Sequence, residues 1–216
     1  MVQRSFSIEH ALGVGWNTFK AHWALLIGLA VAVLILGNVP QGIGNAAQGS
    51  GSPGGFQLLM GLLSLVLQAV LSLGVTYIAL RLVSGQSAEF GDLFARVSLV
   101  LNYLIASFLF GIVVAVGLIL LIVPGIFFAA KLSFFPYFVV DDGAGPIDAL
   151  QRSWALTNGV TLKVILFGIV LLLINFVGLL ALGIGVLVTY PVSYLAHAYV
   201  YRHVREQAGL GGPALG

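Results

Sequence analysis

Lys131 is the residue of this 216-residue chain that most invites chemistry, because its charged side chain lies deep inside an apolar stretch. A Pro124-Gly125 turn lies roughly 9 Å from it along a helix, at a rise of about 1.5 Å per residue. A charge at such depth normally faces the protein interior and has a partner, yet no Asp or Glu lies at comparable depth. The candidate partners are backbone carbonyls freed by Pro124 or Pro136, a lipid phosphate, and the amides of Gln68, Asn102 and Asn175. In the alternative interpretation, the long lysine side chain extends to the outer headgroups.

Polar or small side chains recur at every fourth position in three of the apolar stretches, which places each set on one face of a helix. The sets are Ser64, Gln68, Ser72 and Thr76; Ala129, Ser133, Tyr137 and Asp141; and Thr189, Ser193, His197 and Tyr201. Two interpretations stay open. The sets serve helix packing and interhelical hydrogen bonds, or they surround a central cavity or a lipid-access groove. The second interpretation predicts a ligand or lipid site formed by Lys131, Gln68, Asn102, Asn175 and His197.

The sequence lacks the motifs of catalysis and metal binding. It contains no HExxH motif, no phosphate-binding glycine loop, no Gly-x-Ser-x-Gly motif and no intramembrane carboxylate pair. It has no cysteine, which excludes disulfides and thiolate ligands. His10, His22, His197 and His203 lack the spacing of a metal site. We therefore expect a protein that is not an enzyme, with no catalytic residue, no metal and no cofactor.

The composition predicts that membrane helices position these residues. Hydrophobic residues make up 60% of the chain and charged residues only 7%, whereas about a quarter of a typical soluble domain is charged. A bilayer core about 30 Å thick requires roughly 20 apolar residues per helix. The stretches are continuous rather than alternating, which argues against a barrel. The six predicted spans are Trp23 to Val39, Phe56 to Val83, Leu99 to Val123, Ile126 to Val140, Val160 to Leu182 and Ile184 to Tyr201.

A short amphipathic segment precedes each pair of spans, and its apolar residues recur at helical spacing. These segments lie at about Ile8–Phe19, Phe90–Val97 and Ile147–Trp154. The predicted fold class is all-α: a polytopic integral membrane protein with six transmembrane helices in three hairpins, each preceded by a cytoplasmic-side amphipathic helix. The single transmembrane domain covers residues 1–216. Its units, about 6–83, 88–140 and 146–203, form a threefold repeat, and residues 204–216 form a flexible C-terminal tail.

Basic residues are confined to one set of connections, which orients the chain. Pro40–Gly55, the Pro124-Gly125 turn and the Gly183–Gly185 turn contain no charged residue. By the positive-inside rule, both termini then lie on the cytoplasmic side of a bacterial cytoplasmic membrane. Pro40–Gly55 lacks the apolar residues needed for packing and is predicted to be a mobile connector. The dispersed basic residues favour contact with anionic lipid headgroups over nucleic acid.

Residues 124–159 resemble a bacterial family of six-helix membrane proteins that includes the membrane domain of some glycerophosphoryl diester phosphodiesterases. The features that match are Pro124-Gly125-Ile126, a basic residue at Lys131, Pro136, Val139-Val140-Asp141, Gly145-Pro146, Ala149-Leu150, Arg152-Ser153-Trp154 and Leu156-Thr157. The resemblance implies the fold and a membrane setting. The chain departs from the pattern in having lysine rather than arginine at 131 and no basic residue at Asn158, which weakens a bidentate phosphate contact there. These residues contain no soluble phosphodiesterase domain, so the resemblance does not imply hydrolysis.

Two functions are consistent with these features. The first is a non-enzymatic protein of the cytoplasmic membrane that acts as a scaffold, accessory subunit or lipid-associated factor in envelope maintenance. Its partners would be membrane lipids, anionic ones included, and a membrane-protein partner or a homo-oligomer. The alternative is a small transporter or permease for an anionic or amphipathic substrate, with Lys131 in the path. The absence of a span visibly broken at its midpoint by paired Gly and Pro argues against transport.

Overall fold

The protein is all-helical in the part of the chain that its computed structural model describes, which comprises residues 5–48, 54–181 and 185–210. The α-helices in these ranges are α1 (Ile8–Ala21), α2 (Trp23–Gln48), α3 (Gly54–Val83), α4 (Val100–Leu120), α5 (Ile122–Leu132), α6 (Phe135–Asp142), α7 (Pro146–Leu156), α8 (Thr161–Leu180) and α9 (Val186–Gln207). Two short 3-10 helices, Phe90–Phe94 and Val97–Leu99, lie between α3 and α4. The predicted all-α class is confirmed for these residues.

Five helical segments among the described residues are long and apolar enough to cross a membrane. They are Trp23–Ala47, Gly54–Val83, Phe90–Leu120, Ile122–Asp142 and Thr161–Leu180. Large apolar side chains on these segments are exposed, including Leu101, Phe108 and Leu172. An exposed apolar surface of this extent is rare in a soluble monomer. The five segments therefore indicate a membrane protein.

The predicted sixth span corresponds to α9, which is not one of these five segments. α9 packs against α1, α2, α3 and α8, and these neighbours bury Ala196, Val200 and Tyr201. A helix enclosed by protein can carry polar side chains that lipid would disfavour, because they contact other helices. The low hydropathy of α9 thus has a structural cause, and a sixth crossing stays a prediction.

Two predicted boundaries differ from the structure, and a third lies mostly outside the described residues. α2 continues through Pro40 to Gln48, so the predicted mobile connector is wrong for residues 40–48, and residues 49–53 lie outside the described residues. The helix continues because α3 packs beside it: the Ser64 hydroxyl of α3 donates to the Gly37 carbonyl at 3.0 Å. α9 extends to Gln207, so no flexible tail begins at residue 204. Of the predicted turn at Gly183–Gly185, residues 183 and 184 are not among the described residues.

The second hairpin turns at Leu121 rather than at Pro124-Gly125. Leu121 has an extended backbone between α4 and α5. Pro124 instead lies in the first turn of α5, where its missing N–H has no helical acceptor to lose. The prediction of a Pro-Gly turn is therefore wrong, because a proline near a helix start is as favourable as one in a turn.

The predicted fourth span, Ile126–Val140, is two helices. α5 ends at Leu132 and α6 begins at Phe135. Pro136 lies in the first turn of α6, and since it has no N–H it cannot continue the hydrogen-bond ladder of α5. The interruption lies at Ser133 and Phe134 and is followed by Pro136 without a paired glycine, so a search for paired Gly and Pro does not find it.

The second and third surface segments each pack against the hairpin that precedes them in the chain, and the first segment packs against the third hairpin. α1 packs against α9 of the third hairpin, the first 3-10 helix against α3 of the first hairpin, and α7 against α5 and α6 of the second. The middle segment forms 3-10 helices, so the prediction of an α-helix there is wrong. Contact with α3 is close because Gly74 has no side chain: a Cβ at this position would overlap the backbone of Leu93. The order fits the predicted threefold repeat of a surface helix and a hairpin.

Candidate functional site

A lateral groove between α5, α8 and α9 is the candidate site. It has a volume of about 490 Å³ and a predominantly apolar lining that includes Ile126, Ile165 and Leu172. The polar residues of its lining are Ser133, Asn175, Tyr190, Ser193, Tyr194 and His197. No charged side chain lines this groove. An apolar groove with a few converging polar groups is the usual form of a small-molecule site.

His197 is held in place by two aromatic rings. Its imidazole stacks on Phe134 of α5–α6 at 4.7 Å between centroids and on Phe167 of α8 at 6.0 Å. Its Nδ1 lies 3.2 Å from the Tyr137 hydroxyl. Its Nε2 has no hydrogen-bond partner among the described residues, and His197 is one of the residues that line the groove. The side chain is rigid and carries one unused polar atom.

Asn175 and Ser193 form a second polar group in the groove. The amide nitrogen of Asn175 donates to the Leu171 carbonyl and to the Ser193 hydroxyl oxygen, each at 2.8 Å. The Leu171 carbonyl fixes which end of the amide is the donor, because a carbonyl only accepts. Asn175 Oδ1 is consequently buried without a partner. A buried unpaired acceptor is costly, and a hydroxyl donor in the groove would satisfy it.

Two other grooves lie between hairpins. One, of about 280 Å³, lies between α2, α3 and α9 and includes Asn38, Gln68, Tyr190 and Tyr194 in its lining. The other, of about 590 Å³, lies between α3 and α4 and also includes Gln68. Gln68 of α3 donates to the Ser64 hydroxyl at 3.0 Å and to the Gly37 carbonyl of α2 at 3.5 Å, so its amide serves the packing of α2 on α3. Asn102 lines none of the three grooves.

The structure does not bring the five predicted ligand residues together. Asn175 and His197 share the lateral groove, whereas Gln68 lies in the other two. Lys131 is 5% exposed and lines none of the three grooves. Its Nζ donates to Asn158 Oδ1 at 2.6 Å and lies 5.0 Å from the centroid of Trp154 and 5.6 Å from that of Phe127. None of the predicted amide partners contacts it, because α5 packs against α7 and α8 and Lys131 meets the connection between these two helices at Asn158.

An ion-pair cluster that the sequence did not reveal ties α6 to α9. Arg205 donates to Asp141 and to Asp142, each at 2.7 Å, and the Tyr201 hydroxyl donates to Asp141 at 3.2 Å. Arg152 of α7 joins Asp142 at 3.0 Å, and its hydrogen bond with Asp148 raises the pKa of Arg152. The sequence contained one indication of this cluster, because Asp141 and Tyr201 are each the last residue of one of the polar sets. The pairing itself requires the three-dimensional fold.

Comparison with known proteins identifies a family and no activity. Among the described residues, no group of three His, Asp or Glu side chains is placed to bind a metal ion. No curated protein and no solved structure matches the chain. A family model described as a domain of unknown function, DUF7847, matches residues 24–210, which is most of the chain. The chain therefore belongs to the DUF7847 family.

Proposed function

We propose that the protein is a non-enzymatic, lipid-associated factor of a bacterial cytoplasmic membrane that holds one amphiphilic molecule in the lateral groove. The unpaired Oδ1 of Asn175, a residue that lines a predominantly apolar and uncharged groove, carries this proposal. The amphiphile has an apolar chain, which contacts α5 and α8, and a neutral head with a hydroxyl group. That hydroxyl donates to Asn175, beside Ser193 and His197.

The chemistry of the groove supports a neutral head over an anionic one. A phosphate or carboxylate requires a cation or several N–H donors, and the groove lining contains no Lys or Arg. A hydroxyl both donates and accepts, so it can use the Asn175 oxygen and the His197 Nε2 together. Scaffold and accessory roles in envelope maintenance fit the same protein, because a bound lipid can link it to its surroundings.

The proposal includes the predicted topology. Six spans with α9 as the enclosed sixth helix, cytoplasmic termini and surface helices at the cytoplasmic face account for the one-sided distribution of basic residues. In this orientation the groove opens sideways to lipid. An amphiphile can then enter from the bilayer without passing through water.

Native mass spectrometry of the purified protein tests the groove. Asn175→Leu removes the amide at similar volume, and we expect the fraction of protein with co-purified amphiphile to fall roughly fivefold, from the loss of about 1 kcal/mol. Asn102→Leu is the matched control, because it removes the same amide outside the groove. An Asn175→Leu protein that keeps the wild-type amount of bound amphiphile would reject the proposal.

Transport is the second candidate, and the broken helix directly after Lys131 favours it. Discontinuous helices form the substrate sites of many transporters. Proteoliposome uptake of an anionic amphiphile distinguishes the two functions: a transport path past Lys131 predicts uptake that Lys131→Leu abolishes. The lipid-associated function predicts no uptake and no change in co-purified lipid for Lys131→Leu, since Lys131 does not line the groove.

A further inference from the structure

Two arginine side chains meet on one tyrosine ring beside the C-terminal end of α3. The guanidinium carbon of Arg96 lies 4.7 Å from the centroid of Tyr77, and that of Arg81 lies 5.6 Å from it. Both guanidinium groups therefore contact the same ring, which favours cations through its π electrons. This group of three residues, here called the Tyr77 site, is separate from the lateral groove.

The charges of the Tyr77 site are only partly paired. Arg81 forms an ion pair with Asp92 at 3.1 Å. Arg96 forms no ion pair among the described residues, and the Nε atoms of both arginines are buried without hydrogen-bond partners. Glu89, the other carboxylate of this segment, is exposed and pairs with neither arginine. Arg96 thus keeps a positive charge that no carboxylate among the described residues pairs, and its terminal nitrogens, rather than the buried Nε, are the donors left for a ligand.

Apolar side chains surround Arg96 on the surface segment. Phe90 is 50% exposed, Phe94 51% and Val97 46%. Interfacial segments with exposed aromatic and aliphatic residues place these side chains among acyl chains, while their basic residues stay at the level of the phosphates. The segment therefore has the composition of a surface that contacts a phospholipid rather than bulk water.

We propose that the Tyr77 site binds the headgroup phosphate of an anionic phospholipid, with Arg96 as its principal donor. The planar guanidinium of Arg96 presents paired N–H groups that match two phosphate oxygens. Arg81 adds a second positive charge, and Tyr77 holds both guanidinium groups in position. Phe94 and Val97 contact the acyl chains of the same lipid.

Titration of the full-length protein with dioleoylphosphatidylglycerol, followed by native mass spectrometry, tests this site. Arg96→Gln should weaken binding roughly fivefold, because a basic residue near an anionic lipid surface contributes about that factor. Arg96→Lys keeps the charge and should lose less. Arg152→Gln is the matched control: it removes the same charge, but Arg152 is paired with Asp142 and Asp148. The Arg152→Gln protein should bind phosphatidylglycerol within twofold of the wild-type affinity, which corresponds to a change in binding free energy of roughly 0.4 kcal/mol or less.

Two comparison probes separate the possible sources of the phosphate. Dioleoylphosphatidylcholine, which has no net charge, should bind more weakly and show no dependence on Arg96. Inorganic phosphate should not compete with phosphatidylglycerol. Equal losses in Arg96→Gln and Arg152→Gln would overturn the proposal in favour of a general charge effect. Competition by inorganic phosphate that depends on Arg96 would overturn the assignment to a lipid.

Discussion

The Ser153 hydroxyl occupies the gap between α5 and α6. It accepts a hydrogen bond from the Phe134 N–H at 3.1 Å and donates to the Lys131 carbonyl at 3.0 Å. Ser153 is fully buried, so no water can replace it. In a membrane, backbone groups released by a helix break must find partners within the protein. One side chain therefore satisfies a donor and an acceptor that the break has freed.

We expect Ser153→Ala to lower the free energy of unfolding by about 1 to 3 kcal/mol, because it leaves the buried Phe134 N–H unpaired. The Lys131 carbonyl keeps one donor, the Thr157 hydroxyl at 3.2 Å. Thermal unfolding in detergent, followed by circular dichroism, measures the loss. Ser98→Ala is the control, since Ser98 is exposed in a 3-10 helix. A Ser153→Ala protein as stable as the control would contradict this role.

Lys131 shows how far single residues could be predicted. Its isolation in an apolar stretch left two interpretations open, and its 5% exposure and its contact with Asn158 agree with the interior, paired one. The partner is Asn158, which the sequence marked only as a position where the family pattern has a basic residue. Twenty-seven positions separate the two residues, and the packing of α5 against α7 and α8 brings them together. Sequence spacing could not reveal this contact.

Close helix contacts at glycine hold the surface segments to the hairpins. Gly15 of α1 lies against Ala196 of α9, where a Cβ would be 3.1 Å from the Ala196 nitrogen and 3.2 Å from its Cβ. Gly74 of α3 has the Leu93 backbone as its neighbour. Small residues allow such approach where lipid provides no hydrophobic drive for association. These two glycines fix where the surface segments pack.

Gly74→Ala should destabilise the protein by about 1 to 3 kcal/mol, because the added methyl group meets backbone that cannot rotate away. Gly111→Ala in α4 is the matched control, since nothing lies within 4 Å of a Cβ there. It should be neutral or stabilising by up to about 1 kcal/mol through helix propensity. Thermal unfolding of both variants checks this, and equal stabilities would exclude the proposed contact.

At the level of elements, long apolar runs were predictable and interruptions were not. The cores of α2, α3, α4 and α8 fall where continuous apolar sequence predicted them. Pro40 lies inside a helix, whereas Pro136 begins one. The difference depends on the neighbours: α3 supports the end of α2 through Ser64 and Gly37, while Ser153 stabilises the break before Pro136. Neither of these two contacts can be predicted from the local helix propensity of the sequence.

The distribution of charge and exposure over the whole molecule predicts its orientation. Charged residues cluster near the C-terminal ends of α3, α6 and α9. The C-terminal end of α2 and the N-terminal end of α3 contain none. In the proposed topology, the positive-inside rule predicts that the C-terminal ends of α3, α6 and α9 face the cytoplasm. The sequence predicted this asymmetry without the fold, because it depends on where charges lie along the chain.

Single cysteines test this topology without background, because the chain has no cysteine. Asn45→Cys and Ser98→Cys both replace exposed residues. An impermeant maleimide added to intact cells should label Asn45→Cys, and Ser98→Cys should react only after the cells are opened. Labelling of both positions from outside would refute the orientation.

The lateral groove is the feature on which the proposed function depends. The sequence pattern indicated Asn175 and His197 as ligand residues, together with Gln68, Asn102 and Lys131, which lie elsewhere. Only the packing of α5, α8 and α9 separates these residues. The unpaired Asn175 oxygen then distinguishes the groove from simple helix packing.

Photocrosslinking with a photoreactive fatty alcohol tests the groove most directly. Ile165 lines the groove, whereas Leu162, one turn earlier on α8, is 70% exposed outside it. We predict that labelling at Ile165 saturates, is displaced by unlabelled alcohol and is lost in Asn175→Leu, while labelling at Leu162 rises linearly. Linear, undisplaced labelling at both positions would contradict a specific lipid site.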